Sequence, residues 1–307
     1  MSKFEDFPPD FRGCVLALGT FDGIHLGHVD IINTAKQYAR EHGQKTVVFS
    51  FKNHPLALIA PERTPSMLCS ESRKKGLLRK LSIDVLFNMY FDKNFAAISS
   101  AQFILTLNKY FAPSCIVVGN NYSYGYLGAG TAATLTRDGE KYGFDVIVQD
   151  LVKVDDIVVS STNIRKYIIA GNIENACKLL GRHYALSGEV VRGNARGRTL
   201  GFPTANLKIA PKNQTVPADG VYAAVVKIGK KNLPAVVSVG NNPTFAVRER
   251  RIEAHILNFA EDIYGKTLQL SFVARIRDEK KFADIDELIF NIKRDVAFAQ
   301  NLGAAYN

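Results

Sequence analysis

The chain has 307 residues, 47% of them hydrophobic and 22% charged, which is typical of a folded protein with two domains of ordinary size. No apolar run approaches the ~20 residues that a membrane-spanning helix needs, and the acidic N-terminal residues do not resemble a signal peptide. The net charge of +10 is spread over both halves without a basic tail, so it does not by itself indicate nucleic acid. The four cysteines match no metal-binding spacing, and we expect buried free thiols and a cytoplasmic location.

The first half of the chain alternates between two kinds of segment. Apolar, strand-like runs lie at residues 14–18, 46–51, 85–89, 115–118 and 145–148. Amphipathic, helix-like stretches separate them, at residues 28–41, 70–81, 99–111 and 131–142. This alternation predicts an α/β domain with a doubly wound, Rossmann-like parallel sheet that binds ligands at the carboxyl ends of its strands. Two short helices, at 161–170 and 173–180, close this half, and we expect the domain to cover residues 1–183.

The second half shows the pattern of short antiparallel strands. Runs rich in Val and Ile lie at residues 186–192, 220–227, 233–239, 252–259 and 267–276, separated by turn residues. Such runs predict an antiparallel β-barrel over residues 184–307. A final helix at residues 285–302 carries one apolar stripe, and we expect that stripe to pack on the barrel.

A first chemical motif, GTFDGIHLGH, occupies residues 19–28 between the first predicted strand and the first helix. A helix N-terminus offers backbone amides and partial positive charge to phosphate oxygens, and glycines let the backbone approach a ligand closely. Two histidines three residues apart can face the same side and stabilise the charge that develops on a phosphate. For either histidine alone, a capping or core role is the alternative. The candidate nucleotide-binding residues are Gly19, Phe21, Asp22 and Gly27, and the candidate catalytic residues are His25 and His28.

A second motif, SSTNIR, occupies residues 160–165 at the start of a predicted helix. Hydroxyls and amides at such a terminus can hold phosphate groups, and an arginine adds charge. A plain N-cap would explain one hydroxyl of the motif. We take Ser160, Ser161, Thr162 and Arg165 as phosphate-binding candidates.

Together the two motifs resemble the nucleotidyltransferase superfamily, which transfers adenylyl or cytidylyl groups from nucleoside triphosphates. The resemblance implies that the histidines steady the α-phosphate and that the second motif binds the departing pyrophosphate. It also implies Mg²⁺ and direct attack by the acceptor phosphate without a covalent enzyme intermediate.

The second half contains a third motif, GNARGRTLGFPTAN, at residues 193–206. Gly-rich, Arg-bearing loops suit close contact with phosphates, and Thr204 and Asn206 offer the oxygen ligands that Mg²⁺ prefers. Glu253, on a predicted strand, is a candidate base for a hydroxymethyl substrate. A surface hairpin and a solvated glutamate are the alternatives. The phosphate-binding candidates of this motif are Gly193, Arg196, Gly197, Arg198 and Pro203.

This third motif resembles bacterial riboflavin kinase, and shorter matching stretches lie at residues 220–222, 242–245, 262–265 and 277–279. The order of the two modules is similar to that of the bacterial bifunctional riboflavin kinase/FAD synthetase family. The resemblance implies that ATP phosphorylates riboflavin to FMN in the C-terminal domain and adenylylates FMN to FAD in the N-terminal domain. It implies riboflavin, FMN, ATP and Mg²⁺ as ligands, with neither a membrane nor a nucleic acid as partner.

One loop departs from the family pattern. The N-terminal domain usually carries a segment like VGxDFxFG, where this chain reads VGNNYSYG at residues 118–125. Asn121 replaces an acid and Tyr122 replaces a phenylalanine, and we take both, with Arg277, as flavin-binding candidates. The departure leaves open a riboflavin kinase whose N-terminal half is degenerate, non-catalytic or regulatory. A third hypothesis is a flavin- or RNA-binding regulator, for which the net charge is the only argument.

Overall fold

The computed structural model describes residues 3–193, 196–229, 231–241 and 250–303. The chain divides into two compact units, one of residues 1–65 and 71–160 and the other of residues 66–70 and 161–307. The strands of the first unit are β1 (Val15–Leu18), β2 (Thr46–Phe51), β3 (Val85–Met89), β4 (Cys115–Gly119), β5 (Ser123–Tyr124), β6 (Gly130–Thr131), β7 (Asp145–Gln149), β8 (Lys153–Val154) and β9 (Ile157–Val158). Its helices are α1 (Leu26–Glu41), α2 (Leu56–Ile59), α3 (Glu71–Lys80), α4 (Lys93–Ala96), α5 (Ser100–Tyr110) and α6 (Ala132–Tyr142).

Five parallel strands form the central sheet of the first unit in the order β3-β2-β1-β4-β7. Alternate residues of β1 point to opposite faces, so Val15 and Ala17 pack in one buried cluster and Leu16 and Leu18 in another. The first cluster includes side chains of α1 and α3, and the second includes side chains of α5 and α6. The sheet is therefore covered on both faces, which confirms the predicted doubly wound fold.

The second unit is built around a closed antiparallel barrel. Its helices are α7 (Ser161–Ile169), α8 (Ile173–Leu180), α9 (Arg196–Thr199) and α10 (Ile285–Gly303). Its strands are β10 (Tyr184–Val191), β11 (Ala205–Ile209), β12 (Gly220–Ile228), β13 (Lys231–Asn241), β14 (Arg250–Ile256) and β15 (Thr267–Arg277). The strands close in the order β10-β11-β14-β13-β12-β15, and α10 packs Val296 and Ala299 on the barrel. The structure confirms the barrel and its helix and adds β11, a strand that the sequence analysis left inside the third motif.

The division between the units follows packing. Helices α7 and α8 belong to the unit that contains the barrel, so that unit begins about twenty residues before the predicted boundary at residue 183. The segment 66–70 also belongs to it, because Met67 donates from its N–H to the Asn213 carbonyl at 2.8 Å and accepts from the Thr215 N–H at 2.8 Å. The functional boundary stays a prediction.

The cysteines are free thiols. Cys14, just before β1, and Cys115, the first residue of β4, are fully buried, and burial raises the pKa of each thiol to about 12. The prediction of buried free thiols is confirmed for Cys14, Cys69 and Cys115, whereas Cys177 is only partly buried. In the part of the chain that the structure describes, no helix is both long enough and apolar enough to cross a membrane.

Candidate active sites

The first motif forms the loop that joins β1 to α1, at the carboxyl end of the central strand. Phe21 is fully buried, and a Cβ atom at Gly19 would lie only 3.1 Å from its ring, so this position favours glycine. Asp22 is 2% exposed. Phe21, Gly23 and Ile24 adopt positive φ angles, which fold the loop back on itself ahead of the helix. The loop is therefore packed inward against the core.

The two histidines of this motif stack on each other. Their ring centroids lie 3.5 Å apart with an interplanar angle of 16°, and His25 is the N-cap of α1. The His25 Nδ1 atom accepts from the His28 N–H at 3.3 Å, so a neutral His25 ring carries its hydrogen on Nε2. The structure thus gives His25 the capping role considered as an alternative. In that tautomer the Nε2 atom is the hydrogen-bond donor of the ring.

A buried lysine, Lys74, donates a hydrogen bond to the backbone of the first motif. Lys74, on α3, is 4% exposed, and its ammonium donates to the carbonyl oxygens of Thr20 at 3.2 Å and Phe51 at 2.6 Å. It also donates to the Ser50 hydroxyl at 3.0 Å, which in turn donates to the Thr20 carbonyl at 2.9 Å. The sequence analysis missed both side chains, because a Lys in an Arg-Lys-Lys run of an amphipathic helix resembles a solvated residue.

The second motif is divided between the two units. Ser160 ends the first unit, where the preceding Val159 carbonyl lies 3.8 Å from the position of a Cβ atom on Gly27. This approach brings the start of the second motif to the first motif. Ser161 and Thr162 open α7 in the second unit. Arg165 donates from Nε to the Ser66 carbonyl at 2.6 Å within the same unit.

The loop that departs from the family pattern has well-defined packing of its own. Asn121 is exposed, whereas Tyr122 packs against the core and stacks on Tyr124 at 5.9 Å. Burial raises the pKa of both phenols. The Tyr124 hydroxyl donates to an Asp138 carboxylate oxygen at 3.1 Å. The family pattern has a phenylalanine at residue 124, and the additional hydroxyl of Tyr124 is satisfied by this hydrogen bond.

The third motif contacts the candidate base where β11 pairs with β14. The Thr204 hydroxyl donates to Oε2 of Glu253 at 3.2 Å. Asn206 lies directly opposite Glu253 in the register of β11 and β14, and its Oδ1 accepts from Nε of Arg251 at 3.2 Å. Arg251 also pairs with Oε1 of Glu253. The structure thus brings both predicted metal ligands and the predicted base together, and it adds Arg251.

Two glycines of the third motif are required by close contacts. A Cβ atom at Gly193 would lie 2.2 Å from the Asn206 amide, and one at Gly197 would lie 2.4 Å from the Phe202 carbonyl. The Phe202 N–H donates to the Gly197 carbonyl at 2.8 Å, which closes a turn just before Pro203. The backbone of Arg196 and Arg198 lies in α9, and their contacts with phosphate stay predictions. The matching stretch at residues 242–245 lies outside the described residues.

Two cavities open beside Thr204, which lines both. The larger has a volume of about 590 Å³ and is lined in part by Glu253. The smaller has a volume of about 490 Å³ and extends along Pro203. The larger cavity has apolar residues such as Phe202, Val221, Phe282 and Leu288, and its polar residues include His255, Arg277, Glu279, Lys280, Lys281 and Asp295. The lining of the smaller cavity is mostly apolar and includes Val190, Ile256, Phe259, Ile263 and Tyr264. Cavities that combine apolar surface with convergent polar groups are typical of small-molecule sites.

Arg277, a flavin-binding candidate, lies in the larger cavity with a fixed orientation. Its Nε donates to both carboxylate oxygens of Asp295 at 3.1 Å, and Nη2 donates to one of them at 2.8 Å. Asp295 is 3% exposed and belongs to α10. The guanidinium lies 5.4 Å from the centroid of the Phe282 ring. Sequence reasoning missed Asp295, because an acid in an amphipathic helix resembles a solvated residue until the helix packs on the barrel.

Two family models match the chain. One, described as FAD synthetase, matches residues 7–163, and the other, described as riboflavin kinase, matches residues 180–302. Each half of the chain thus matches a model of its own, in the predicted order.

Several proteins of known name are similar to almost the whole chain. The bifunctional riboflavin kinase/FMN adenylyltransferase of Escherichia coli strain K12 is 35% identical and aligns over 92% of this chain and 91% of its own length. The protein of that name from Bacillus subtilis strain 168 is also 35% identical, over 92% and 90%. A crystal structure titled as a macrolide-efflux protein from Streptococcus pneumoniae has 34% identity and a TM-score of 0.90, with 98% of both chains covered. Its title refers to that protein, and the agreement of the folds is what bears on this chain.

A parallel sheet with a glycine-rich strand-to-helix loop and a barrel with two cavities that share Thr204, joined in one chain, define a transferase with two catalytic modules. The family matches specify both transfers. The chain belongs to the bifunctional riboflavin kinase/FMN adenylyltransferase family: it phosphorylates riboflavin to FMN and adenylylates FMN to FAD. The predicted family and both activities are confirmed, and the alternative of a non-catalytic N-terminal half gains no support.

Proposed function

We propose that Glu253 is the base of the kinase reaction and that His25 and His28 stabilise the transferred phosphate in the adenylyl reaction. The observation that carries the first assignment is the 3.2 Å hydrogen bond from Thr204 to Glu253 at the junction of two cavities. A phosphoryl transfer needs its acceptor alcohol and its donor nucleotide to meet at one point. Thr204 lies at that point.

The larger cavity takes riboflavin and the smaller takes the nucleotide. Glu253 lines only the larger cavity of the two, and a base must contact the hydroxymethyl group from which it removes a proton. Phe202 and Phe282 provide apolar surface for the isoalloxazine ring, and the fixed guanidinium of Arg277 faces the same space. The apolar lining of the smaller cavity suits an adenine ring.

In the kinase step, Glu253 takes the proton of the riboflavin 5′-hydroxyl as that oxygen attacks the γ-phosphorus of ATP. The bond from the γ-phosphorus to the bridging oxygen breaks, and ADP leaves with the electron pair. Gly193 and Gly197 let the backbone approach the phosphates, while Arg196, Arg198 and Pro203 complete the loop around them.

Mg²⁺ fits the oxygen donors of this site. The Thr204 hydroxyl and the Asn206 amide oxygen are hard ligands two residues apart, and they adjoin the Glu253 carboxylate. Thr204 and Asn206 would hold the ion together with the nucleotide phosphates. A bound Mg²⁺ neutralises negative charge that develops on those phosphates.

In the adenylyl step, a phosphate oxygen of FMN attacks the α-phosphorus of ATP, and pyrophosphate leaves as the bond between the α- and β-phosphates breaks. His25 and His28 donate to the α-phosphate, and the backbone of residues 19–28, including Gly19, Phe21, Asp22 and Gly27, surrounds the nucleotide. Ser160, Ser161, Thr162 and Arg165 bind the pyrophosphate. Asn121 and Tyr122 contact the flavin.

The remaining proposals concern the organisation and the surroundings of the protein. We assign the adenylyl reaction to residues 1–183 and the kinase reaction to residues 184–307, as the two family matches support. Free cysteines and ATP as a substrate support a cytoplasmic location. The net charge of +10 is explained by anionic substrates without a nucleic acid partner.

Glu253→Gln and His28→Ala test the two assignments in reciprocal fashion. Each full-length variant is given riboflavin, ATP and Mg²⁺, or FMN, ATP and Mg²⁺, and the flavins are separated at timed intervals. Because general-base catalysis contributes roughly 10²–10⁴-fold, Glu253→Gln should lower FMN formation by at least about 100-fold and leave FAD formation from FMN intact. His28→Ala should lower FAD formation and leave FMN formation intact.

Two exposed residues supply matched controls for this experiment. Glu189→Gln, on β10, and His42→Ala, after α1, should leave both reactions unchanged. Equal loss of both reactions in Glu253→Gln or in His28→Ala would contradict the assignment of one reaction to each domain.

A further inference from the structure

One face of β14 contacts the third motif through three side chains. Residues 251, 253 and 255 alternate along the strand, so they point to the same side. Arg251 donates to Asn206, Glu253 accepts from Thr204, and Nδ1 of His255 lies 2.8 Å from the Pro203 carbonyl oxygen. Only Arg251 and Glu253 contact a predicted metal ligand. His255 instead contacts Pro203, the residue immediately before the predicted metal ligand Thr204.

Backbone pairing does not hold Pro203 and Thr204 against β14. The register of β11 and β14 pairs Ala205 with Ala254 and ends there. Proline has no N–H with which to extend the pairing. The side chains of Glu253 and His255 therefore make the described hydrogen bonds that tie residues 203 and 204 to this strand.

The hydrogen bond to Pro203 defines the tautomer of His255. A carbonyl oxygen only accepts hydrogen bonds, so the Nδ1 atom must carry a hydrogen. The ring also packs edge-on against Phe202, with centroids 5.6 Å apart at 85°. The N–H of Phe202 closes the turn to Gly197, so the His255 ring contacts the final residues of that turn.

We propose that His255 is a positioning residue of the kinase reaction, whose Nδ1–H holds the Pro203 carbonyl and so keeps the Thr204 hydroxyl within hydrogen-bonding distance of Glu253. This inference rests on the proposed roles of Thr204 and Glu253. Without the hydrogen bond, residues 203–204 lose one of their two ties to β14, and the metal ligand and the base no longer keep a fixed separation. Small displacements of reacting groups lower the rate of a transfer step strongly.

Two substitutions in the full-length protein separate this role from simple packing. His255→Leu keeps much of the side-chain volume but removes the donor, whereas His255→Asn keeps a nitrogen donor at the δ position. For FMN formation, we expect His255→Leu to lower kcat by roughly ten-fold and to raise KM for Mg·ATP, with KM for riboflavin changed by less than about two-fold. We expect His255→Asn to recover most of the lost kcat. FAD formation from FMN serves as the internal control and should not change.

The alternative is that His255 only lines the riboflavin cavity. In that case His255→Leu would raise KM for riboflavin and leave kcat unchanged, which would overturn the proposal. Equal impairment of the Leu and Asn variants would overturn it as well. If Glu253→Gln retained FMN formation, the proposed function itself would fail, so the two failures are distinguishable.

A spectroscopic measurement on the unmodified protein keeps the proposal testable if His255→Leu does not fold. Nitrogen-15 spectra of the histidine rings report which ring nitrogen carries the hydrogen, and His255→Asn assigns the signal. We expect the Nδ1–H tautomer at His255. An Nε2–H tautomer would overturn the proposal, because that ring cannot donate to Pro203.

Discussion

At the scale of single residues, the first and third motifs are each hydrogen-bonded to a polar side chain from a neighbouring element. Lys74 supports the first motif through the Thr20 carbonyl, and Glu253 supports the third through Thr204. The two cases differ in how visible they are in the sequence. Glu253 was a candidate base in the sequence, on a predicted strand, whereas the role of Lys74 becomes visible only in the structure, where its ammonium donates to the Thr20 carbonyl.

Lys74→Met tests the supporting role of this lysine. The substitution removes the donor to two carbonyl oxygens and one hydroxyl, and unsatisfied buried groups are expensive. We expect the free energy of unfolding of the first unit to fall by roughly 1–3 kcal/mol. FAD formation should fall, and FMN formation should not. Urea unfolding followed by circular dichroism and the flavin assay measure these effects.

The neighbouring lysine provides the control. Lys75 is half exposed and pairs with Glu71 one helical turn away, a type of contact that contributes little. Lys75→Met should leave stability and both reactions close to those of the unmodified protein. If the two variants behaved alike, the support that Lys74 gives to the first motif would have no functional weight.

At the scale of elements, apolar periodicity was sufficient to predict the central strands, the main helices and five strands of the barrel to within a few residues. It failed at β11, because the residues after Pro203 belong to a motif whose chemistry suggested a loop. They pair with β10 and β14 in the structure. The contacts of segment 66–70 were also unpredictable, because a short irregular segment has no periodicity and its partners, such as Thr215, are distant in sequence.

Two glycines inside helices make a matched pair for testing how packing modifies helix propensity. A Cβ atom at Gly76 in α3 would meet no atom within 4 Å, whereas one at Gly139 in α6 would lie 2.5 Å from the Phe144 carbonyl. Gly76→Ala should raise the free energy of unfolding by roughly 0.5–1 kcal/mol, because alanine favours the helix. Gly139→Ala should lower it by roughly 1–3 kcal/mol. Thermal unfolding that showed the same sign for both would contradict the described packing.

At the scale of the whole molecule, the chain enters the second unit twice. It contributes residues 66–70, returns to the first unit, and enters again at Ser161. Within the second unit, the Ser66 hydroxyl lies 2.8 Å from that of Thr215, and Met67 makes two backbone hydrogen bonds. Thr215 is 1% exposed, so this short segment helps to bury it.

A fragment of residues 161–307 should therefore be less stable than the same residues in the intact protein. It lacks the hydrogen bonds of residues 66–70, and we expect its thermal midpoint to be lower by roughly 5–10 °C. The control is the complete chain cut once between residues 160 and 161, which retains the segment. Equal midpoints for the fragment and for the barrel of the cut chain would show that residues 66–70 add no stability.

This chain path limits how such a protein can be divided by recombination. A gene that simply started at codon 161 would encode every strand of the barrel but not the residues that pair with Asn213 and Thr215. A stand-alone kinase derived from it would need new residues to cover that site. A stand-alone module that included residues 66–70 would keep these contacts.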